Sequence, residues 1–174
     1  MSSKSIAIAI APLVFAAVAF AQGDQAPQRA PELKKLDYFV GTWKTEAEMK
    51  PGPFGPGGKV ASTDHFEWQK GEFFVIGHSD FTSPMGGGVE LSVMGYDPAR
   101  KVFTYQSFNS VGEHESATGT VDGDTWSWAS ADQSPFKWRY TEKILSPTSF
   151  SVKFEGSQDG ANWSTIMEGK VAKQ

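Results

Sequence analysis

The chain has 174 residues, no cysteine, 13% aromatic residues and a formal net charge of -4. This length favours one domain. The lack of cysteine excludes disulfides, thiolate zinc sites, iron–sulfur clusters and cysteine nucleophiles, and the mild acidity argues against nucleic acid as a partner. The 18 glycines and 10 prolines, spread among short aromatic-rich segments, favour strands and turns over helices.

The start of the chain predicts two segments outside the folded domain. Residues 1–21 resemble a secretory signal peptide, with Lys4 before an uncharged apolar run and small residues around Phe20 at the expected cleavage site. The run is short for a membrane span and contains Pro12, so we expect cleavage rather than an anchor. Residues 22–31 are polar and rich in proline, which predicts a disordered lead-in to one domain over 32–174. The expected location is secreted or periplasmic, with no stable membrane span after signal removal.

Beyond a short helix predicted at 32–39, the hydrophobic period becomes two. Apolar Trp138 and Tyr140, for example, alternate with Lys137 and Arg139, which is typical of strands with one face in a core. Turn residues divide the chain into ten segments: 41–50, 59–69, 72–82, 89–96, 102–109, 113–121, 124–131, 136–145, 149–156 and 161–171. The predicted fold is therefore all-β, an up-and-down antiparallel barrel of about ten strands whose helix closes one end.

The loops predict how the two ends of this barrel differ. Tight turns at 70–71, 97–101, 122–123 and 146–148 share the closed end with the helix, and longer loops surround an open mouth. The tight turns predict these cross-strand pairs on inward faces: Trp68 with Phe73, Val93 with Tyr105, and Trp126 with Gly119. The loop at 51–58, rich in glycine and proline, is either a lid over the mouth or a tolerated surface insertion.

The inward faces predict an aromatic floor below a ring of polar side chains, as in many ligand pockets. The predicted ligand-binding residues are Trp43, Asp64, Trp68, Phe73, Phe103, Tyr105, Asn109, Glu113, Glu115, Trp126, Trp128, Trp138 and Tyr140. Asp64 is either a handle for a ligand or paired with a neighbour such as Ser79, because an unpaired buried carboxylate is costly. Aromatic side chains that simply fill the barrel are the alternative.

No metal, no cofactor and no catalytic residue is predicted. His65 is expected diagonal to His78 on the outer face, but no third histidine is near enough in sequence to complete a metal site. The chain contains no Gly-x-Ser-x-Gly nucleophile motif.

One sequence pattern resembles a known group of barrels. The run Leu33-x-x-Leu36-x-x-Phe39-Val40-Gly41-Thr42-Trp43 is similar to the opening motif of lipocalin-like (calycin) barrels, in which a short helix leads into a first strand bearing Gly-x-Trp. The later motifs Gly71-Glu72-Phe73, Gly95-Tyr96-Asp97 and Gly119-Thr120-Val121-Asp122 resemble a family of secreted bacterial proteins catalogued as a domain of unknown function. The resemblance implies a calycin barrel with a possible cavity and no particular reaction. Lipocalins stack a late arginine on the opening tryptophan, where this chain offers Lys170 and Lys173. Nitrobindin-like barrels, a more distant likeness, bind heme through a late histidine, and this chain has no histidine after His114.

Three function classes remain open at this stage. The first is a barrel that binds a small apolar or amphiphilic ligand, where mouth carboxylates favour a neutral or cationic polar end. The second is a hydrolase or isomerase that uses Asp64 or Glu142 with His114, marked by a carboxylate with a raised pKa. The third is a structural or partner-binding barrel with a filled interior and an outer apolar patch at Phe74, Ile76 and Phe108. The oligomeric state is not predicted.

Overall fold

The computed structural model describes residues 28–132, 134 and 136–174. The predicted signal peptide and most of the predicted lead-in lie outside the described residues. A 3₁₀-helix at Pro31–Tyr38 precedes ten strands: β1 Gly41–Met49, β2 Gly58–Trp68, β3 Val75–Ser83, β4 Gly86–Asp97, β5 Val102–Asn109, β6 His114–Asp122, β7 Thr125–Ser130, β8 Lys137–Ser146, β9 Ser149–Ser157 and β10 Ser164–Lys173.

The ten strands form one closed antiparallel barrel. Each strand pairs with its neighbours in the chain, and β1 closes the barrel by pairing with β10. Burial in β2 alternates strictly between half-buried and exposed positions along the strand, as expected for a wall with an inner and an outer face. The predicted all-β, up-and-down barrel is therefore confirmed. No helix among residues 28–174 that the structure describes is long and apolar enough to cross a membrane.

The predicted turn between β2 and β3 is wrong by two positions. Trp68 pairs with Val75 rather than with Phe73, because the connection spans residues 69–74 instead of the two residues expected. Gly71 and Glu72 adopt left-handed backbone angles there, with φ of 99° and 56°. Phe73 therefore lies in the loop at the closed end and not in a strand.

The turn between β4 and β5 shifts the register by one residue, which reverses the faces of β4. Tyr105 pairs with Met94 rather than with Val93, so Met94 is buried inside and Val93 faces outward. The carboxylate of Asp97 accepts hydrogen bonds from the backbone N–H groups of Ala99 and Arg100 at 3.0 and 3.1 Å. Asp97 thus remains the last residue of β4, and the four-residue turn begins one position later than predicted.

The connection between β6 and β7 also differs, but the faces are preserved. Asp122 pairs with Thr125, and Gly119 lies opposite Trp128 rather than Trp126. A shift of two residues keeps every side chain on its predicted face because the period of a strand is two. A Cβ atom on Gly119 would lie 2.4 Å from the ring of Trp128, so the indole packs directly on this glycine.

The closed end is a packed floor built around the helix. Leu33 and Leu36 are buried, and the indole N–H of Trp43 donates to the carbonyl of Phe39 at 2.6 Å. The ammonium of Lys173 lies 5.2 Å from the ring centre of Trp43, close enough for a cation–π contact. Of the two lysines that the resemblance offered at this place, Lys173 is the one that stacks on the opening tryptophan.

The mouth is formed by the other five connections. The loop predicted at 83–88 is instead a tight hairpin, in which Ser83 pairs with Gly86. The ring of Phe54, in the connection after β1, lies 5.2 Å from that of Phe136, which precedes β8, three strands away around the barrel. A Cβ atom on Gly156 would lie 2.4 Å from the Phe136 ring, so this ring faces inward. These contacts favour the lid interpretation of the loop over a simple surface insertion.

Candidate functional site

The inner face of the barrel changes character between floor and mouth. Near the floor, core side chains such as Leu36 and Trp126 are at most 1% exposed. Further up, inward-facing side chains keep accessible surface even though they lie inside the wall; five of them, which we call the inner site, are Asp64, Glu90, Tyr105, Tyr140 and Glu142. The floor is therefore packed, while the inner site above it stays partly accessible to solvent.

Six predicted ligand-binding residues lie in the floor rather than in the inner site. They are Trp43, Trp68, Phe73, Phe103, Trp126 and Trp128, all within or against the hydrophobic core. The indole N–H of Trp68 donates to Asp37 at 2.9 Å, and the guanidinium of Arg29 lies 4.3 Å from its ring centre. Trp128 differs from the others because its indole N–H reaches upward to the inner site.

Asp64 points into the barrel from β2. One of its carboxylate oxygens accepts hydrogen bonds from the hydroxyls of Ser62 at 2.7 Å and Thr45 at 3.4 Å. Ser79, the partner considered from the sequence, lies directly opposite Asp64 in the strand pairing. The hydrogen bonds come from Ser62 and Thr45, so the Asp64 carboxylate is held by neutral donors.

Glu142 points inward from β8 and sits just above the floor. The indole N–H of Trp128 donates to its carboxylate at 3.0 Å. Burial raises the pKa of Glu142 to about 7, and the hydrogen bond from Trp128 opposes part of that rise. The carboxyl group therefore exchanges its proton near neutral pH.

Two tyrosines complete the inner site. The hydroxyl of Tyr105 donates to Glu90 at 2.7 Å, and burial followed by the Glu90 charge raises its pKa. Burial also raises the pKa of Tyr140 well above its usual value, and the charges of Glu142 and Asp64 add to this effect. Both phenols consequently stay neutral and act as hydrogen-bonding groups at any physiological pH.

The remaining predicted residues lie at the rim of the mouth. The indole N–H of Trp138 donates to Glu115 at 3.3 Å. The amide oxygen of Asn109 accepts from the backbone N–H groups of Val111 and Glu113, and its amide nitrogen donates to the Glu113 carboxylate at 2.9 Å. Asn109 and Glu113 thus shape the loop between β5 and β6, whereas Trp138 and Glu115 face the opening.

All three histidines lie on the outer face. His65 is directly opposite His78, not diagonal to it as predicted. His114 pairs with Phe108 and its ring stacks on that side chain at 6.3 Å, so it lies on the other side of the wall from Asp64. The predicted combination of His114 with an interior carboxylate is therefore wrong. No group of three or more histidine, aspartate or glutamate residues in the described part of the chain is arranged to hold a metal.

A family model described as "Protein of unknown function (DUF1579)" matches residues 28–173 of the chain. The chain belongs to this DUF1579 family. The family of unknown function that the sequence motifs resemble is thereby confirmed. No curated protein matches this DUF1579 chain. A solved structure titled "Crystal Structure of Rv2717c from M. tuberculosis" is similar, with a TM-score of 0.59 and 15% sequence identity over 84% of this chain and 99% of that one. At this identity the likeness shows the fold alone.

The outer face of this DUF1579 barrel carries apolar surface. Phe74 and Phe108 are 44% and 50% exposed, as the third function class predicted, and Ile76 is half-buried. An open groove of about 1030 Å³ crosses the outer face of β1–β5 and is bounded on one side by Leu91 and Phe108. Most side chains that line this groove have the opposite strand parity to the inner site, but Glu90 of the inner site also borders it.

Sequence reasoning missed Glu90 as an inner residue of the DUF1579 barrel. The one-residue error in the turn after β4 placed Val93 inside and therefore placed Glu90 outside. The sequence signal was Asp97 itself, because an aspartate whose side chain accepts from the backbone N–H groups that follow it can remain the last residue of a strand, so that the connecting residues begin one position later.

Proposed function

We propose that this protein is a secreted or periplasmic barrel that binds a small, largely apolar or amphiphilic molecule in its upper half. One observation carries this proposal: inward-facing aromatic and polar side chains above a packed floor keep accessible surface. A ligand pocket commonly combines an apolar wall with a few polar groups that fix orientation. The signal-like residues 1–21 support the proposed location.

The apolar wall of the proposed pocket comes from β8 and β9. The ring of Phe154 lies 5.9 Å from that of Trp138 and 6.1 Å from that of Tyr140, both in tilted arrangements. Such surfaces offer large contact areas to flat or aliphatic molecules. The contact between Phe54 and Phe136 supports a cover for the bound molecule at the mouth.

The polar groups argue against a barrel that is filled only for stability. A solid core accommodates carboxyl groups poorly because each one loses hydration on burial. Asp64 and Glu142 project inward from β2 and β8 and are only partly buried. Inward-facing carboxyl groups are expected in a site that binds the polar group of a ligand.

A titration with the neutral fluorescent probe N-phenyl-1-naphthylamine tests the proposal. Trp138→Ala removes part of the pocket wall, so we expect weaker binding of the probe than in the unaltered chain. Trp163→Ala is the matched control, because Trp163 lies outside with the Arg139 guanidinium 4.4 Å from its ring centre. Absence of saturable binding, or equal effects of the two substitutions, would contradict the proposed pocket.

An enzyme that moves a proton is the second candidate function. The pKa of Glu142, about 7, suits a general base or acid at neutral pH. In this candidate function Glu142 would transfer the proton without His114, because His114 stacks on Phe108 on the outer face of the barrel. The base-catalysed opening of 5-nitrobenzisoxazole measures such a group: a rate that rises with pH around 7 and is lost in Glu142→Gln supports the candidate, and an unchanged rate in that variant excludes it.

A further inference from the structure

Ion pairs in this protein are distributed unevenly between the two sides of the barrel wall. The six ion pairs between described residues lie on the outer face or at the closed end. Glu155, for example, contacts Arg139 at 2.7 Å and Lys153 at 2.9 Å, and Glu168 contacts Lys50 at 2.7 Å. Outer carboxylates thus find cationic partners readily.

The inner carboxylates have only neutral partners among the described residues. Asp64 accepts from serine and threonine hydroxyls, Glu90 from the Tyr105 phenol, and Glu142 from the Trp128 indole. Glu115 at the mouth follows the same pattern with the indole of Trp138. These four acids come from four different strands, so their convergence is a property of the barrel and not of one acidic loop.

No lysine or arginine among the described residues faces the inner site. Lys173 is the inward cation, and it lies at the floor over Trp43, below the carboxylates. No cationic side chain of the protein therefore offsets the carboxylates of the upper interior, in a region where apolar walls keep electrostatic interactions strong.

A second, independent observation also points to a ligand. Tyr140 faces the barrel interior from β8 and remains partly accessible, and its hydroxyl has no hydrogen-bond partner among the described side chains that surround it. The phenol oxygen is therefore available to a polar group of a bound molecule at the level of Asp64 and Glu142.

We infer that the polar end of the bound molecule is an organic cation, a protonated amine, held between Asp64 and Glu142 while its apolar body lies against Trp138 and Phe154. This inference rests on the proposed function and adds the chemical class of the ligand. An ammonium group supplies the charge and the hydrogen-bond donors that the inner carboxylates lack. The phenol oxygen of Tyr140 is a further acceptor for it, and the aromatic faces suit a cation as well.

The test is a calorimetric titration of the protein with three probes of equal chain length: octylamine, octanol and octanoate. We expect octylamine to bind about tenfold or more tightly than octanol, because a charged hydrogen bond replaces a neutral one, and octanoate to bind weakest. Asp64→Asn and Glu142→Gln should each remove most of the advantage of the amine and leave octanol binding nearly unchanged.

Glu168→Gln is the control for nonspecific attraction of a cation to an acidic protein. Glu168 is an exposed outer acid with a lysine partner, so its substitution should leave octylamine binding unchanged. An equal loss in Glu168→Gln and Glu142→Gln would overturn the inference. Octanol binding as tightly as octylamine would also overturn it and leave the proposed function standing. Failure of all three probes to bind would overturn the inference, and the proposed function would fall with it only if N-phenyl-1-naphthylamine did not bind either.

Discussion

Replacing Glu142 with glutamine should stabilise the protein at neutral and alkaline pH. The folded protein holds this carboxyl group in a site where burial raises its pKa to about 7, from an ordinary value of 4.5. Between these two pH values the folded state keeps the proton and the unfolded chain has lost it. The contribution of Glu142 to stability is therefore greatest below pH 4.5, falls as the pH rises to 7, and is a constant penalty above that.

The size of the penalty follows from the shift. A change of one pKa unit corresponds to about 1.4 kcal/mol, so this shift corresponds to roughly 3 kcal/mol between the acidic and alkaline limits. Residual accessibility of the side chain to water makes this an upper figure. Glutamine carries no charge at any pH, and its side-chain oxygen still accepts from the Trp128 indole. The variant should therefore gain up to about 3 kcal/mol at pH 8 and little at pH 4.

Thermal and urea unfolding at several pH values from 4 to 8 measure the difference between the two proteins. At pH 8 the midpoint of Glu142→Gln should exceed that of the unaltered chain by several degrees, since 1 kcal/mol corresponds to about 2–4 °C in a domain of this size. Glu168→Gln serves as control and should change stability by less than about 1 kcal/mol, because its ion pair is exposed. Equal stability of the Glu142 variant and the unaltered chain at pH 8, or a difference independent of pH, would refute the reasoning.

Three further predictions concern packing, charge and the pocket wall. Gly119→Ala should lower the free energy of unfolding by about 1–3 kcal/mol, because its methyl group would meet the Trp128 ring; urea unfolding measures this, and an unchanged midpoint would disprove the close contact. Glu155→Gln should destabilise the protein at pH 7, since the Arg139 guanidinium and the Lys153 ammonium hold the pKa of that carboxyl at about 2. The loss should shrink as the pH falls through 4.5 toward 2 in the same assay, and a loss that persists at pH 2 would exclude a charge effect. Trp138→Ala should lower probe affinity without lowering the unfolding midpoint much, because this side chain is half-buried at the rim; a loss of fold would instead place it in the core.

The barrel architecture was predictable because its determinants are local. Alternation of apolar and polar residues gives each strand two faces, and ten such segments with short connections leave few arrangements other than an up-and-down barrel. The helix and the Gly-x-Trp motif predicted which end of the barrel is closed. At that end the indole N–H of Trp43 donates to the carbonyl of Phe39. The register of the strand pairs was harder to predict, because it depends on the exact residue at which each turn begins.

The candidate site was less predictable for the same reason. An error of one residue in the turn after β4 reverses the face on which Glu90 lies. The predicted register therefore placed Glu90 on the outer face, whereas the structure has it on the inner face. The depth of the predicted aromatic residues in the barrel was a separate difficulty. The two-residue period of the strands places Trp43 and Trp126 on the inner face, but it does not predict how far the helix packs into the end of the barrel. The ring centres of Phe39, which follows the helix, and Trp126 lie 5.1 Å apart. Depth in a barrel is set by tertiary contacts that no local pattern encodes.

Native mass spectrometry of the protein, purified gently from the cells that produce it, tests the central claim of a ligand-binding barrel most directly. The account predicts a stoichiometric mass excess that is lost on denaturation and belongs to a small apolar molecule bearing an amine. A mass that equals the polypeptide alone, in a protein that also fails to take up N-phenyl-1-naphthylamine or octylamine, would contradict it.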